Sequence, residues 1–484
     1  MSSSGLFSIA RSALLAHQTS LQVISQNLAN AETPGYSRQE AVLQATPPIR
    51  FSYGSVGTGV NVATVVRKRD MLLDDAFRNA NGRASTAEMR RDLLGQLEGV
   101  FGEPTDAGLS NAFDQFWSAW SDLATSPGNG AAQAVVQQRG RQVAGLFNQF
   151  DGQITQQRTS SMDRLSSTVA SINQIATQVA ELNGRIVTSE SDGNTANDLR
   201  DQRDVQLDTL SKLAGVRIFE QSNGSVSVIV GNSTLVDGVT ARPLRLQLVP
   251  PVPTPAVAPA DVPFKVTLGN AQDALSPLGG ELSSMLEYIN TDIPAARARL
   301  DTLASSLVTS MNAEHTQGFV FSGITIPGTA AGNFFDAGTL LNPVRASTIS
   351  LDATIAASAQ QIATSRDINA PTDNAGAVAM AALRTTANTV SFQLTPSSPP
   401  ETGSFISFFR NMMTGIGIST RSATDDASVF RSLSEQGDMR RQSVSGVNTD
   451  EELTNMMRVQ QSYTAASKLI RVADEMLQSL LQMV

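Results

Sequence analysis

The sequence predicts a mainly α-helical, elongated multidomain protein of the α+β class, with β modules inserted between long helices. Apolar residues recur at helical spacing over long segments, and strand-like alternation is confined to short stretches. The two chain ends also carry matching apolar seams, which predict terminal coiled-coil-like helices. A chain of 484 residues is long enough for about three domains.

Each seam has apolar residues at alternating three- and four-residue spacing, the pattern of helices that bury a stripe against partner helices. The N-terminal seam consists of Phe7, Ala10, Leu14, His17, Leu21, Ile24, Leu28 and Ala31. The C-terminal seam consists of Met456, Val459, Tyr463, Ala466, Ile470, Ala473, Leu477, Leu480 and Val484. Because a lone helix cannot bury such a stripe, each end needs the other or copies of itself, and we expect residues 1–35 and 445–484 to form one terminal helical domain that carries the assembly interface.

Between the ends, helical spacing predicts a body of residues 36–216, 280–318 and 373–444 with short β segments. Pro34 and Gly35 end the first helix. Alternation over residues 57–65 predicts a strand, and its glycines precede that strand, unlike those of a phosphate-binding loop. Asn183 interrupts a further seam over residues 162–186 and is the kind of polar residue that fixes register.

Two segments lack helical spacing and predict inserted modules. Residues 217–279 combine an Asn223-Gly224 turn, alternating valines and a Pro-rich stretch, which indicates β-hairpins joined by an extended loop. We expect the chain to leave the body at Gly215 and to return near Gly279 at a nearby point. Residues 319–372, rich in Gly, Thr and Ala, predict a second β or irregular module. Within the helical pattern that follows residue 280, Pro294 allows either a bend or a new helix.

Composition argues against several functional classes. The net charge is −9 and only 5% of residues are aromatic, which argues against nucleic-acid binding. The sequence has no cysteine and hence no disulfide, thiolate metal site or cysteine nucleophile. The N-terminus lacks a secretory signal pattern, and we expect no membrane span. Taken alone, these two features indicate a cytoplasmic protein, although export that reads an uncleaved, amphipathic N-terminus would give the same pattern.

Residues suited to catalysis or metal binding are sparse. His17 lies on the N-terminal seam, where packing is the expected role, and His315 has no second His or Cys to pair with. Asp201, Asp204 and Asp208 share one helical face. Since Arg200, Arg203 and Lys212 lie within reach on the same helix, we interpret this face as solvated and salt-bridged. We therefore predict no enzymatic activity, cofactor or metal.

Two terminal motifs resemble those of the axial family, the bacterial flagellar rod, hook and hook-associated proteins. The N-terminal motif, residues 28–39, includes Asn30, Pro34, Gly35, Tyr36 and Arg38. The C-terminal motif begins at residues 443–452 and includes Gly446, Val447, Asn448, Glu451 and Glu452. Residues 57–70, 197–204 and 312–318 resemble the hook-associated branch. The most discriminating of these segments contains Asp198, Asp201, Gln202, Arg203 and Asp204.

The resemblance implies a structural protein that is exported unfolded and uncleaved through the flagellar type III apparatus into the extracellular flagellum. Its copies would form a ring between hook and filament, beside the hook protein and a second junction hook-associated protein. An export chaperone would hold the C-terminal helix. The nearer alternative is another axial protein, distal rod or hook, and the farther one is a wall hydrolase of the kind that some rod proteins carry.

Overall fold

The structure is a computed structural model that describes residues 3–51, 54–102, 108–249, 262–271, 273–276, 278–321, 323, 325–339, 342–393 and 399–482. Long helices dominate, and small antiparallel sheets are inserted between them. The predicted fold class is therefore confirmed. The Pro-rich part of the first inserted module, residues 250–261, lies outside the described residues.

The longest helix, α4, extends over 60 residues. In chain order the helices are α1 (Ser3–Ala29), α2 (Met71–Phe101), α3 (Leu109–Thr125), α4 (Gly130–Ser189), α5 (Asn197–Ala214), α6 (Gly280–Glu287), α7 (Ile293–His315), α8 (Ala353–Ala357), α9 (Ala375–Ala382), α10 (Phe405–Ser445) and α11 (Thr449–Gln482). A π-helical turn, Tyr288–Asp292, joins α6 directly to α7, and Pro294 lies in the first turn of α7. The helix departs from α geometry directly before Pro294, because a proline has no N–H to donate and its ring crowds the preceding turn.

The strands form short antiparallel sheets. They are β1 (Gln39–Ala45), β2 (Ile49–Phe51), β3 (Gly54–Val56), β4 (Val60–Arg67), β5 (Val216–Glu220), β6 (Val226–Val230), β7 (Ser233–Asp237), β8 (Thr240–Ala241), β9 (Leu244–Leu248), β10 (Phe264–Leu268), β11 (Phe319–Val320), β12 (Thr329–Ala330), β13 (Val390–Phe392) and β14 (Glu401–Gly403). Strands β5 to β8 form one sheet in sequence order. The β1–β4 pair continues into β2–β3 as a long hairpin whose base lies against α1.

In the described part of the chain, one large apolar core joins the body helices to most of the inserted strands, and Val320, Ala331 and Ala363 form a separate small cluster. Its aromatic centre lies around α3, where Trp117 stacks on Phe405 at 6.0 Å and Phe116 packs on Phe334 at 5.9 Å between ring centroids. Val228 and Leu235 of the β5–β8 sheet are fully buried in the same core. Because this core is continuous across the predicted module boundaries, the division of the chain into domains stays a prediction.

Gly215 and Gly279, which flank the first predicted module, lie at one point. A Cβ on Gly215 would lie 2.8 Å from the Cα of Gly279, so the two backbones touch. Gly215 has φ +56°, a conformation that favours glycine, and it ends α5 as predicted.

Asparagines on helical segments bind extended segments by pairing with both backbone groups of one residue. The buried Asn183 donates its Nδ2 to the carbonyl of Val226 (2.9 Å) and accepts the Val226 N–H at Oδ1 (3.1 Å). The same two-bond pairing joins Asn173 to Leu244, Asn290 to Phe264 and Asn312 to Phe335. Each amide supplies the hydrogen bonds that an adjacent strand would make, which buried backbone groups require.

The Asn183→Leu variant should be strongly destabilised. Val226 would lose both amide partners, and Nη1 of Arg203 would lose the Asn183 oxygen that it contacts at 3.0 Å. Since each unpartnered buried polar group costs about 1–3 kcal/mol, we expect the free energy of unfolding to fall by about 3 kcal/mol in urea denaturation. Asn79→Leu at an exposed position of α2 is the control and should change it by less than about 0.5 kcal/mol. Equally small losses in both variants would show that the amide pairing is dispensable.

Candidate assembly interface

The two terminal helices pack against each other in an antiparallel pair. Asn27, near the end of α1, donates to Glu452 in the first turn of α11 (3.0 Å), although 425 positions separate the two residues in sequence. The helices remain in contact beyond this point. The predicted pairing of the chain ends is therefore present within a single chain.

Small side chains predominate among the buried apolar residues of this pair. The buried apolar residues of the two helices are Ala10, Ala16, Val23, Ile24, Ala466 and Ala473. Other predicted seam residues are half-buried, namely Leu14, Leu21, Leu28, Met456, Val459 and Ile470. Phe7 and Tyr463 are exposed, at 42% and 38%. The side chains of Leu477 and Leu480 lie outside the described residues.

Large apolar side chains of α11 point away from α1. Five of them are exposed and form what we call the outer ridge: Leu453, Met457, Leu469, Val472 and Met476. Leu453, Met457 and Leu469 lie on one row of four-residue spacing, the row that packs into grooves of neighbouring helices. The helix thus packs small side chains against α1, and the five apolar side chains of the outer ridge, spread over the rest of its surface, remain about half exposed among the described residues.

A buried polar contact joins α1, α11 and the loop between α1 and β1. Glu452 is only 2% exposed, and its carboxylate accepts hydrogen bonds from Arg38 (2.8 Å) and Asn27 (3.0 Å). Asn27 also pairs with both backbone groups of Gln39, at 2.9 and 3.0 Å, and accepts the Tyr36 hydroxyl at 2.8 Å. Burial and the carboxylates of Asp201, Asp198 and Glu452 raise the pKa of Tyr36, so its hydroxyl remains a donor.

The N-terminal motif forms the loop that carries this contact. Asn30 donates to the carbonyl of Gln26 and closes the end of α1. Gly35 has φ +81°, and a Cβ there would collide with Val205, so this position requires glycine. Pro34 is exposed in the same loop and, with the exposed Gln202 of α5, lines an open groove.

The C-terminal motif forms the link between α10 and α11. Gly446 and Val447 connect the two helices, and Asn448 caps α11 by accepting the N–H groups of Asp450 (3.0 Å) and Glu451 (3.2 Å). Glu451 also bonds Arg38 at 3.0 Å. The residues of both terminal motifs therefore meet at one joint.

Helix α5 connects this joint to the body. Asp201 accepts the N–H and the hydroxyl of Ser37 at 3.0 and 2.6 Å. Arg67, the last residue of β4, bridges Asp201 (2.7 Å) and Asp204 (2.8 Å). Gln39 adds a longer bond to Asp198 at 3.3 Å. The loop after α1 and the base of the hairpin are thus held by one face of α5.

The same aspartates also bind α2 and α10. Asp204 contacts Arg69 and Arg78 at 3.0 and 3.1 Å, and Asp208 contacts Arg78 at 2.8 Å. Arg441 of α10 pairs with Asp208, and its guanidinium lies 3.9 Å above the ring of Phe77. Alternating charges therefore connect α10 to the loop after α1.

Our interpretation of the Asp201, Asp204 and Asp208 face as solvated was wrong. This face packs against α2 and the end of β4, and its ion pairs are made with those elements and α10. Arg200 and Arg203 bond elsewhere: Arg200 pairs with Glu190 and Glu220. Arg203 donates to Asn183 and to the carbonyl of Gly224. Spacing along α5 favoured ion pairs between residues of that helix. In the folded chain, tertiary packing brings arginines of other elements to the aspartates instead.

Burial and ion pairing set the protonation of this cluster. Burial opposes ionisation of Asp204, yet Arg69, Arg67 and Arg78 together lower its pKa to about 2. Burial lowers the pKa of Arg203 to about 10, and nearby Asp204 offsets this only in part. Asp204 is therefore ionised at neutral pH, and Arg203 remains protonated.

The described residues include no group of three or more His, Asp and Glu side chains arranged to bind a metal. His17 is half-buried on α1. His315 is buried, with Nδ1 2.7 Å from the Gly332 carbonyl and Nε2 accepting the Ala363 N–H at 3.0 Å. Within the described part of the chain, no helix is long and apolar enough to cross a membrane.

Comparison with known proteins matches both the termini and the body. Residues 7–36 match the family model "Flagella basal body rod protein", and residues 441–483 match "Flagellar basal body rod FlgEFG protein C-terminal". Residues 94–335, half of the chain, match "Flagellar hook-associated protein FlgK helical domain". The terminal matches define the class, a flagellar axial protein built on rod-type ends.

Similar full-length proteins include flagellar hook-associated protein 1 of Bacillus subtilis, at 29% identity over 97% of this chain and 96% of the relative. The proteins of that name from Salmonella typhimurium and Escherichia coli are 26% and 25% identical, and each match covers 99% of both chains. A solved structure, the flagellar hook junction protein FlgK from Burkholderia pseudomallei, matches 54% of this chain and 46% of its own at 26% identity and a TM-score of 0.46.

The chain belongs to the FlgK family of flagellar hook-associated proteins. It is a structural component of the flagellum, and proteins of this family are not known as enzymes. Its relatives imply an extracellular, flagellar location. The rod and hook alternatives share the terminal matches, but the match of the body distinguishes the hook-associated branch.

The Asp204→Asn variant tests the ion-pair cluster. The folded pKa of about 2 lies below the ordinary carboxyl value. The ion pairs of Asp204 therefore stabilise the fold above about pH 4, and this contribution is lost as the pH falls towards about 2. We expect the difference in unfolding free energy between wild type and variant to be large at neutral pH and to shrink on acidification.

Urea denaturation at about pH 7, 4 and 2.5 measures this difference. Asp192→Asn, in the exposed turn after α4, is the matched control and should follow the wild type at every pH. A difference for Asp204→Asn that stays constant with pH would contradict the ion-pair account.

Proposed function

We propose that this protein forms the junction between hook and filament and assembles with copies of itself through α1 and α11 after type III export. The observation that carries the proposal is the terminal pair. Polar contacts join its helices to each other and to the body, while the outer ridge remains available to a neighbouring copy. The residues of the proposed interface are those of the two seams together with this ridge.

Copies are expected to associate because a single chain leaves apolar surface of α11 exposed. Side chains of the outer ridge are 45–57% exposed, and full burial of such a side chain from water stabilises by about 1.5–3 kcal/mol. Covering the remaining exposed parts of five side chains would contribute several kcal/mol for each copy. Only 16% of residues are charged, so copies packed side by side would meet little like-charge repulsion.

The proposed partners follow from this position in the flagellum. Hook protein would lie on one side of the ring and a second junction hook-associated protein on the other. Before export, a chaperone groove would hold the apolar faces of α11, in the way that grooves bind amphipathic helices. Chaperone binding at Met456 and Ile470 would compete with α1, since both residues lie half-buried in the pair.

Deletion of the gene tests the proposed position. We expect cells with complete hooks but no filaments, and filament subunits shed into the medium, when the cells are viewed by electron microscopy. Absence of hooks would place the protein earlier in the axial structure, and normal filaments would overturn the proposal.

The double variant Leu469→Glu, Val472→Glu tests the outer ridge. Both side chains are exposed in the single chain, at 54% and 50%, so unfolding free energy should change by only about 0.5 kcal/mol. Filament attachment should be lost, because charges would be desolvated between copies. Gln478→Glu, elsewhere on α11, is the control and should leave attachment intact. Normal attachment in the double variant would remove the ridge from the interface.

A further inference from the structure

We infer that Asn27, Arg38 and Glu452 form a register contact that fixes the axial position of α11 on α1. This inference rests on the proposed function only in its last step, the effect on assembly. The pairing it describes lies within one chain.

The apolar seams alone specify the register weakly. Both follow the same three- and four-residue spacing, so a shift of one heptad, roughly 10.5 Å, aligns apolar positions again. Several of the buried positions are alanines, at residues 10, 16, 466 and 473, and these provide little shape by which to distinguish one register from the next. A polar group buried at one position of a seam is the feature that distinguishes registers in paired helices.

The register contact has this character. Glu452 is the buried ionisable side chain in the described part of α11. Nδ2 of Asn27 donates to Glu452 and to the Gln39 carbonyl, and Oδ1 accepts the Gln39 N–H and the Tyr36 hydroxyl. The amide is fully used, so a shifted α11 would leave one Asn27 donor without its partner and would separate Glu452 from Arg38.

The backbone contacts of Arg38 fix this register relative to the body. Its N–H donates to the carbonyl of Ser445 at the end of α10 (2.9 Å), and its carbonyl accepts the N–H of Lys68 (2.8 Å). Arg38 is therefore fixed between the hairpin and α10. Because the guanidinium of Arg38 is held at this point, Glu452 reaches it in only one axial position of α11. That position of α11 also determines where the outer ridge lies relative to the body.

Disulfide trapping in the full chain tests the register, because the sequence has no cysteine of its own. Val23→Cys with Met456→Cys reports the observed register, since each lies about one turn from the Asn27–Glu452 bond. Val23→Cys with Tyr463→Cys reports a shift of one heptad. In the otherwise unchanged chain we expect the first pair to form roughly tenfold more disulfide than the second.

Asn27→Asp places a second carboxylate against Glu452 and should bring the two disulfide yields close to equality. Adding Glu452→Gln removes the repulsion and supplies an amide donor to the carboxylate introduced on α1, so the preference for the first pair should return in part. Gln461→Glu adds one negative charge on an exposed position of α11 and is the matched control, with the preference unchanged.

An unchanged preference in Asn27→Asp would overturn the inference, and so would equal loss of both disulfides, which would indicate a role in stability rather than register. Filament attachment is measured separately on the cysteine-free variants. Shifted register with normal attachment would support the register contact and contradict the proposed assembly role of the pair. Unchanged register would contradict the inference whatever happens to attachment.

Discussion

The burial of Glu452 between Asn27 and Arg38 is the contact on which the arrangement of the chain ends depends. A carboxylate that is 2% exposed must be paired, since an unpaired buried charge costs several kcal/mol. Its two partners lie on α1 and on the loop after α1, so satisfying it brings both ends of the sequence to one joint. Next to this joint, Ser37 and Arg67 bind Asp201 of α5. Arg441 of α10 pairs with Asp208 on the same helix.

A second device recurs through the molecule, the helix asparagine that binds both backbone groups of a strand residue. Short strands leave backbone groups at sheet edges and at strand ends without hydrogen-bond partners. Asn173 and Asn183 supply such partners from α4, and Asn27 does the same for Gln39 from α1. This explains how long helices can carry short sheets without a large β domain. Asn27 therefore has two roles: it binds the backbone of Gln39, and it belongs to the register contact.

Periodicity predicted the helices and indicated that each chain end needs a partner, and the change of period indicated that α5 ends at Gly215, because these features follow from local spacing and turn chemistry. The partners of the α5 aspartates could not be predicted in this way. Arg78 lies 126 positions from Asp204 and Arg441 lies 233 positions from Asp208, and helix spacing reports only near neighbours. Asn183 did stand out as a polar interruption of a seam, but it binds the backbone of Val226 in β6 and the guanidinium of Arg203 on α5 and does not fix the register of two paired seams. The burial of Glu452 had no signal in the sequence beyond its place in the C-terminal motif.

A density map of the assembled hook–filament junction would test the account most directly. The account predicts that the outer ridge of α11 contacts neighbouring copies while Asn27 and Glu452 remain within hydrogen-bond distance in each copy. A map in which the ridge faces solvent, or in which α11 has left α1 to pair with another chain, would contradict it.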